Sequence, residues 1–174
     1  RAIKTIGRRL IDELLAMSEM LAGNILLAQS YDEQALEHYT RAIEIRDRQT
    51  GDNRYSRAIL LENVGYCRLL GGDLDEGIAT LLEALDLADA VEDRRCRAEC
   101  LQDLSYGHLL EDDLGRAESY GERALAVATA ERYDDIEENC HYLLGEICGR
   151  RGDLEARDAH FARLQDLHPE LPFL

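Results

Sequence analysis

A unit of about forty residues recurs along this chain, and that recurrence restricts its fold more than any other feature. Leu61–Leu87 (LENVGYCRLLGGDLDEGIATLLEALDL), Leu101–Val127 (LQDLSYGHLLEDDLGRAESYGERALAV) and His141–Leu167 (HYLLGEICGRRGDLEARDAHFARLQDL) align without a gap, 40 residues apart. Glu19–Ile45 (EMLAGNILLAQSYDEQALEHYTRAIEI) precedes them by 42. A unit this short cannot hide its own apolar face, so adjacent units must cover one another.

Each unit reads as two helices joined by a tight turn. The only prolines, Pro169 and Pro172, fall in the last six residues of 174, so nothing upstream interrupts a helical hydrogen-bond ladder. At the turns stand Gly72-Asp73-Leu74, Asp112-Asp113-Leu114 and Gly152-Asp153-Leu154. The Asp is placed to cap the free amides of the next helix, and the Leu opens its buried stripe. Leu74, Ile78, Leu81, Leu82 and Leu85 then follow at intervals of three and four, the period of an amphipathic helix. Gly23, Gly65, Ser105 and Gly145 hold one register position in the first helices, where a small residue lets the paired helix come close. The pattern predicts helices over residues 8–28, 32–49, 54–70, 74–91, 94–110, 114–130, 134–150 and 154–167.

The second helices carry Ala35/Tyr39/Ala42, Gly77/Leu81/Ala84, Ala117/Gly121/Ala124 and Arg157/Phe161/Leu164 at equivalent places. With the small first-helix residue and the Gly-Asp turn, this resembles the tetratricopeptide repeat family, in a variant whose period is 40 rather than 34. Tyr31 to Ala42 lies close to that family's pattern, with one extra residue before Ala35, and Phe161 and Pro169 fit its last repeat. The resemblance implies an all-α, right-handed α-solenoid of about four helix-turn-helix repeats. The resemblance covers about residues 8–169, and the chain reads as a single domain over 1–174, with repeats near 8–51, 52–92, 93–132 and 133–169 and an apolar tail at 170–174. Three departures stand out: Arg68 and His108 replace bulky apolar residues, and Gly121 replaces the aromatic, with Tyr120 beside it. Looser packing is expected in the third repeat.

In that family the first helix of each pair lines the concave side. Carried over by register, the groove would present Met17, Met20, Asn24 and Leu27; then Ile59, Glu62, Tyr66 and Leu69; then Glu99, Gln102, Tyr106 and Leu109; then Asn139, Tyr142 and Glu146. Asn63 and Asp103 stand one step round the helix. Tyrosine gives a binding surface a large rigid apolar face and a hydroxyl handle. Together with Asn, Gln and carboxylates, Tyr66, Tyr106 and Tyr142 describe a groove for a peptide or protein segment carrying Arg or Lys. The competing reading is that these tyrosines only pack between repeats. The basic clamp with which some relatives hold a C-terminal carboxylate is missing from these positions.

The net charge of −16 would repel a nucleic-acid duplex or an anionic membrane, so neither is an expected partner. Acidity that simply maintains solubility accounts for the charge equally well. Five cysteines without a Cys-x-x-Cys pair argue against a disulfide framework and for a reducing, cytoplasmic setting. Cys96 with Cys100, and Glu137 with His141, are one turn apart, but two ligands do not make a metal site. Cys100 and Cys140 share a register position and fit neighbouring helices; His38 and His160 share another and read as surface residues. Asp112-Asp113, Asp134-Asp135 and Glu137-Glu138 suit helix starts through the helix dipole. With no phosphate loop, nucleophile elbow or Cys/His nucleophile pair, no catalytic residue, metal or cofactor is expected.

Three functional readings follow. The chain is an adaptor with a peptide groove, a self-associating assembly module paired through its ends, or the sensor region of a multidomain bacterial regulator. The termini, Arg1 and Leu174, read as cut from something larger, and the apolar exit Leu171-Pro172-Phe173-Leu174 as a segment that folds back, docks on a second copy or is covered by further sequence.

Overall fold

The computed structural model describes the backbone of residues 2–49 and 51–167, with side chains from residue 7 onward. The expected apolar tail lies outside these residues. Eight helices follow in order: α1 (Ala2–Ala28), α2 (Asp32–Asp47), α3 (Arg54–Leu70), α4 (Leu74–Ala90), α5 (Arg94–Leu110), α6 (Leu114–Glu131), α7 (Asp134–Arg151) and α8 (Leu154–Leu167). Among the described residues there is no strand. The expected boundaries hold to within two residues except at α1, which begins six residues early. Residues 2–7 contain no proline, and the repeat alignment carried no signal that far upstream.

The helices group into two compact units, Arg1–Asp93 and Arg94–Leu174, each made of two helix pairs. In the first, α1 packs on α2 and α3 on α4, with α2 against α3. In the second, α5 packs on α6 and α7 on α8; α7 also touches both α5 and α6.

Within every pair, the small first-helix residue faces the residue sixteen positions later. A Cβ on Gly23 would lie 2.6 Å from Tyr39 Cε1, on Gly65 2.6 Å from Leu81 Cγ, and on Gly145 2.6 Å from Phe161 Cε1. In these three pairs a large side chain fills the place a Cβ would take. The third pair reverses the arrangement. Ser105 supplies the bulk on the first helix and donates its hydroxyl to the Ala117 carbonyl at 2.7 Å, and Gly121 supplies the gap. Leu144 from α7 then fills that gap, its Cδ2 3.1 Å from where a Gly121 Cβ would stand. The looser packing expected in the third repeat is therefore not found. His108, buried rather than disruptive, stacks on Tyr120 with centroids 5.4 Å apart and bonds to Glu111 through Nδ1 at 2.8 Å. Arg68 keeps its charge useful by donating to Thr80 Oγ1 at 2.6 Å.

The turns work as the sequence implies, with one exception. The residue before each turn Asp takes the left-handed conformation, at φ 88° for Gly72, 61° for Asp112 and 80° for Gly152. Asp113 and Asp153 cap, accepting the Arg116 and Ala156 amides at 3.0 and 3.1 Å. Asp73 makes no such bond. Arginines then tie α7 to the preceding pair. Arg150 donates to the Leu109 carbonyl at 3.1 Å, and Arg151 to the Leu114 carbonyl at 2.9 Å and the Glu118 carboxylate.

Candidate functional site

The expected groove residues divide by what their side chains meet. Leu69 and Leu109, 2% and 5% exposed, are core residues. Leu69 Cδ2 lies 2.7 Å from the place of a Gly77 Cβ, and Leu109 joins Ala117, Leu143, Leu144 and Ile147. Their position, one turn past the small residue, rotates them toward the partner helix, so they leave the groove. Met20 and Leu27 pack against the Ala35–Tyr39–Ala42 core, whereas Met17 is exposed.

In the first unit the polar candidates are largely engaged inside the fold. Asn24 Oδ1 accepts the Tyr39 hydroxyl at 2.8 Å, and Asn63 donates to the Ile59 carbonyl at 2.8 Å. Glu62, half-buried, lies near Tyr39 and Cys67; it adds to the burial that raises the Tyr39 hydroxyl and takes the Cys67 thiol to about 12. Tyr66 is half-buried.

In the second unit α5 and α7 lie side by side, and the surviving candidates gather on them. Asp103 is buried at 4% exposure and accepts Gln102 Nε2 at 3.1 Å. Gln102 Oε1 is itself buried and accepts no hydrogen bond. A buried acceptor without a donor costs about 1–3 kcal/mol. Such a defect is a place where a ligand's N–H gains most. Glu99 pairs with Arg95 at 3.0 Å, Tyr106 lies partly buried against the Leu109 cluster, and Glu146 is half-buried. Asn139 is exposed. Tyr142, also exposed, leans on Phe161 of α8 at 6.4 Å, which places it at the α7–α8 side.

The two histidines expected at the surface instead clasp their partner helices, each bonded to the residue nineteen positions earlier. His38 Nδ1 meets Glu19 Oε2 at 2.6 Å, and His160 Nδ1 meets His141 Nδ1 at 2.9 Å. Around the histidine pair, Glu137 Oε1 lies 3.9 Å from His141 Nε2 and 3.6 Å from Arg163 Nη2. Burial holds both His141 and His160 below the ordinary histidine range. His160 and, less, Arg163 add to this at His141, while Glu137 opposes it there and Glu122 opposes it at His160. A depressed folded value means the unfolded chain takes up the proton first. The pair's contribution is therefore whole above about pH 6.5 and is lost as pH falls through the depressed values. Exchange protection of the α7–α8 amides should drop as pH falls below about 6.5, and His160→Gln should flatten that profile. A profile unchanged by the substitution would exclude the pair as its source.

All five cysteines are buried and none forms a disulfide; burial, with Asp103 and Glu137 nearby, takes Cys140 up to about 12. Among the described residues no cluster of three or more His, Cys, Asp or Glu is arranged to hold a metal. No described helix is long and apolar enough to cross a membrane.

Helix pairs with a small residue facing a bulky one, joined through Gly-Asp turns, define a repeat class. Residues 56–130 match the tetratricopeptide repeat family. Solved structures place the fold among all-α solenoids. The Rap conjugation gene regulator of plasmid pLS20, in complex with the Phr* peptide, aligns at TM-score 0.76 and 17% identity over 85% of this chain and 41% of its own. Aspartyl phosphate phosphatase F from Bacillus subtilis aligns at 0.79 and 12% identity over 89% and 40%. BtubC (BKLC) from P. vanneervenii aligns at 0.72 and 18% identity over 94% and 68%. At such identities the likeness is one of fold. The chain spans about two-fifths of the Rap regulator and of the phosphatase. No curated protein matches the sequence.

Proposed function

We propose that the chain is a protein-interaction scaffold, not an enzyme, whose second unit holds a partner's peptide segment against α5 and α7. The observation that carries this is the buried, donorless Gln102 Oε1 beside the buried Asp103 carboxylate. An approaching peptide N–H would satisfy Gln102 Oε1, and an Arg or Lys head would be drawn to the Asp103 carboxylate, with Glu99 of α5 and Glu146 of α7 adding negative charge to the same two helices. Tyr106, on the same helix, is partly buried against the Leu109 cluster. The fold is compatible with this role, since the Rap regulator aligned above was solved with a peptide bound.

The test is a peptide array of Arg/Lys-rich, Asp/Glu-rich and neutral sequences, followed by titration of the best binder. Basic peptides should be retained, and Asp103→Asn or Tyr106→Ala should weaken them about ten-fold or more with helicity intact. Preference for acidic peptides, or affinity untouched by both substitutions, would refute the proposal.

A further inference from the structure

Half of the large hydrophobic side chains exposed among the described residues lie on one helix, α1. Leu10, Ile11, Leu14, Leu21 and Ile25 are 54–65% exposed, and Met17 stands beside them. They face away from the side that Ala16, Met20 and Gly23 turn toward α2. A helix apolar on both sides is one built to be covered on both sides.

The repeat register says what kind of cover this face accepts. Leu14, Leu21 and Ile25 of α1 occupy the positions of Ile136, Leu143 and Ile147 of α7, 122 residues on. Those three are 2%, 7% and 0% exposed, and Leu143 and Ile147 are packed with Leu109 and Ala117 of the preceding pair. Cys67 of α3, equivalent to Ile25, is buried likewise against Ala35, Tyr39 and Ala42 of α2. The α1 face is thus a helix-packing face, the same one that α3 and α7 bury.

We infer that this face pairs with the same face of a second copy of the chain. Ile11, Leu14, Ser18, Leu21 and Ile25 follow one another at intervals of three, four, three and four, the seam spacing of helices that pack on their own kind. A face that meets itself about a two-fold axis needs no separate complement. Charge permits it as well. In a chain of net −16, α1 carries Lys4, Arg8 and Arg9 against Asp12, Glu13 and Glu19, so two copies of this helix meet without net repulsion. The far end of the repeat array is the poorer match for α1. At the positions where α2 presents Leu36 and Ile43 to α3, α8 has Asp158 and Gln165.

The experiment is sedimentation velocity over a wide concentration series. The wild type should pass from monomer to dimer and stop there. Leu14→Glu/Leu21→Glu should weaken the dimer about a hundred-fold or more, because two carboxylates would be buried in the seam, with the helical circular dichroism unchanged. Ser18→Leu completes the apolar seam and should tighten it about ten-fold, so a failure of the charged variant to fold leaves a second readout. A monomer at every concentration would overturn the inference. So would a dimer indifferent to both variants, or open-ended growth stopped by Leu154→Glu, which would mean head-to-tail stacking through α8.

Discussion

Tyr39→Ala should lower the stability of the first unit by about 3–5 kcal/mol, the cost of emptying a fully buried aromatic site. The ring is 0% exposed and fills the space that Gly23 leaves on α1, while its flanks touch the Leu60, Val64 and Cys67 side of α3. One side chain therefore joins three helices, and the glycine opposite has no atoms to move into the vacated volume. Removing the ring also removes the hydroxyl's hydrogen bond to Asn24 Oδ1 at 2.8 Å. Tyr39→Phe separates the two contributions and should cost only about 1 kcal/mol, the worth of one such bond. Amide exchange across α1–α3, with α5–α8 as internal reference, measures both. A loss under about 1 kcal/mol for the alanine variant would mean the three helices close over the gap.

Gly65→Val should cost about 3 kcal/mol, for the opposite reason. At this crossing α3 and α4 meet almost backbone to backbone. A Cβ on Gly65 would lie 2.6 Å from Leu81 Cγ and 3.1 Å from the Gly77 carbonyl, and one on Gly77 would lie 3.1 Å from the Gly65 carbonyl. Leu81 is itself buried and has nowhere to swing, and a carbonyl in a helix cannot yield without its neighbours. The helical gain from replacing glycine, less than about 1 kcal/mol, offsets only part of the penalty. Gly115→Ala gives the contrast, because it is an exposed site in the first turn of α6 whose nearest neighbour is Asp113 Oδ1 at 3.6 Å. That change should be neutral or slightly stabilising. Urea denaturation of the two variants side by side checks the pair. Equal midpoints would show that the crossing can widen freely.

The helices were legible because their ends are marked by local chemistry. Gly-Asp-Leu and Asp-Asp-Leu turns, and the absence of proline before residue 169, fix where each ladder starts and stops whatever the tertiary setting. The facing of the small residues was legible too, since a spacing of sixteen is set by the turn. What the register could not give was rotation at the level of single side chains. Leu69 and Leu109 are on the first helices, as the groove reading requires, but one turn beyond the small residue they point inward. His38 and His160 looked like surface residues because their partners, Glu19 and His141, lie on another helix. The register placed Gln102 in the groove, but nothing in the sequence marked its oxygen as one that would lack a donor. Whether its oxygen finds a donor depends on the rotamers of several side chains at once.

The exchange of bulk in the third pair means that the repeats are not interchangeable bricks. Pairs one, two and four are each corked from within, by Tyr39, Leu81 and Phe161. Pair three borrows its cork, Leu144, from its successor. An array shortened to end at α6 would leave the notch at Gly121 open, whereas one ending at α8 is sealed by its own Phe161. Evolution or engineering that trims, duplicates or reorders these segments must keep the third and fourth together as a single cassette.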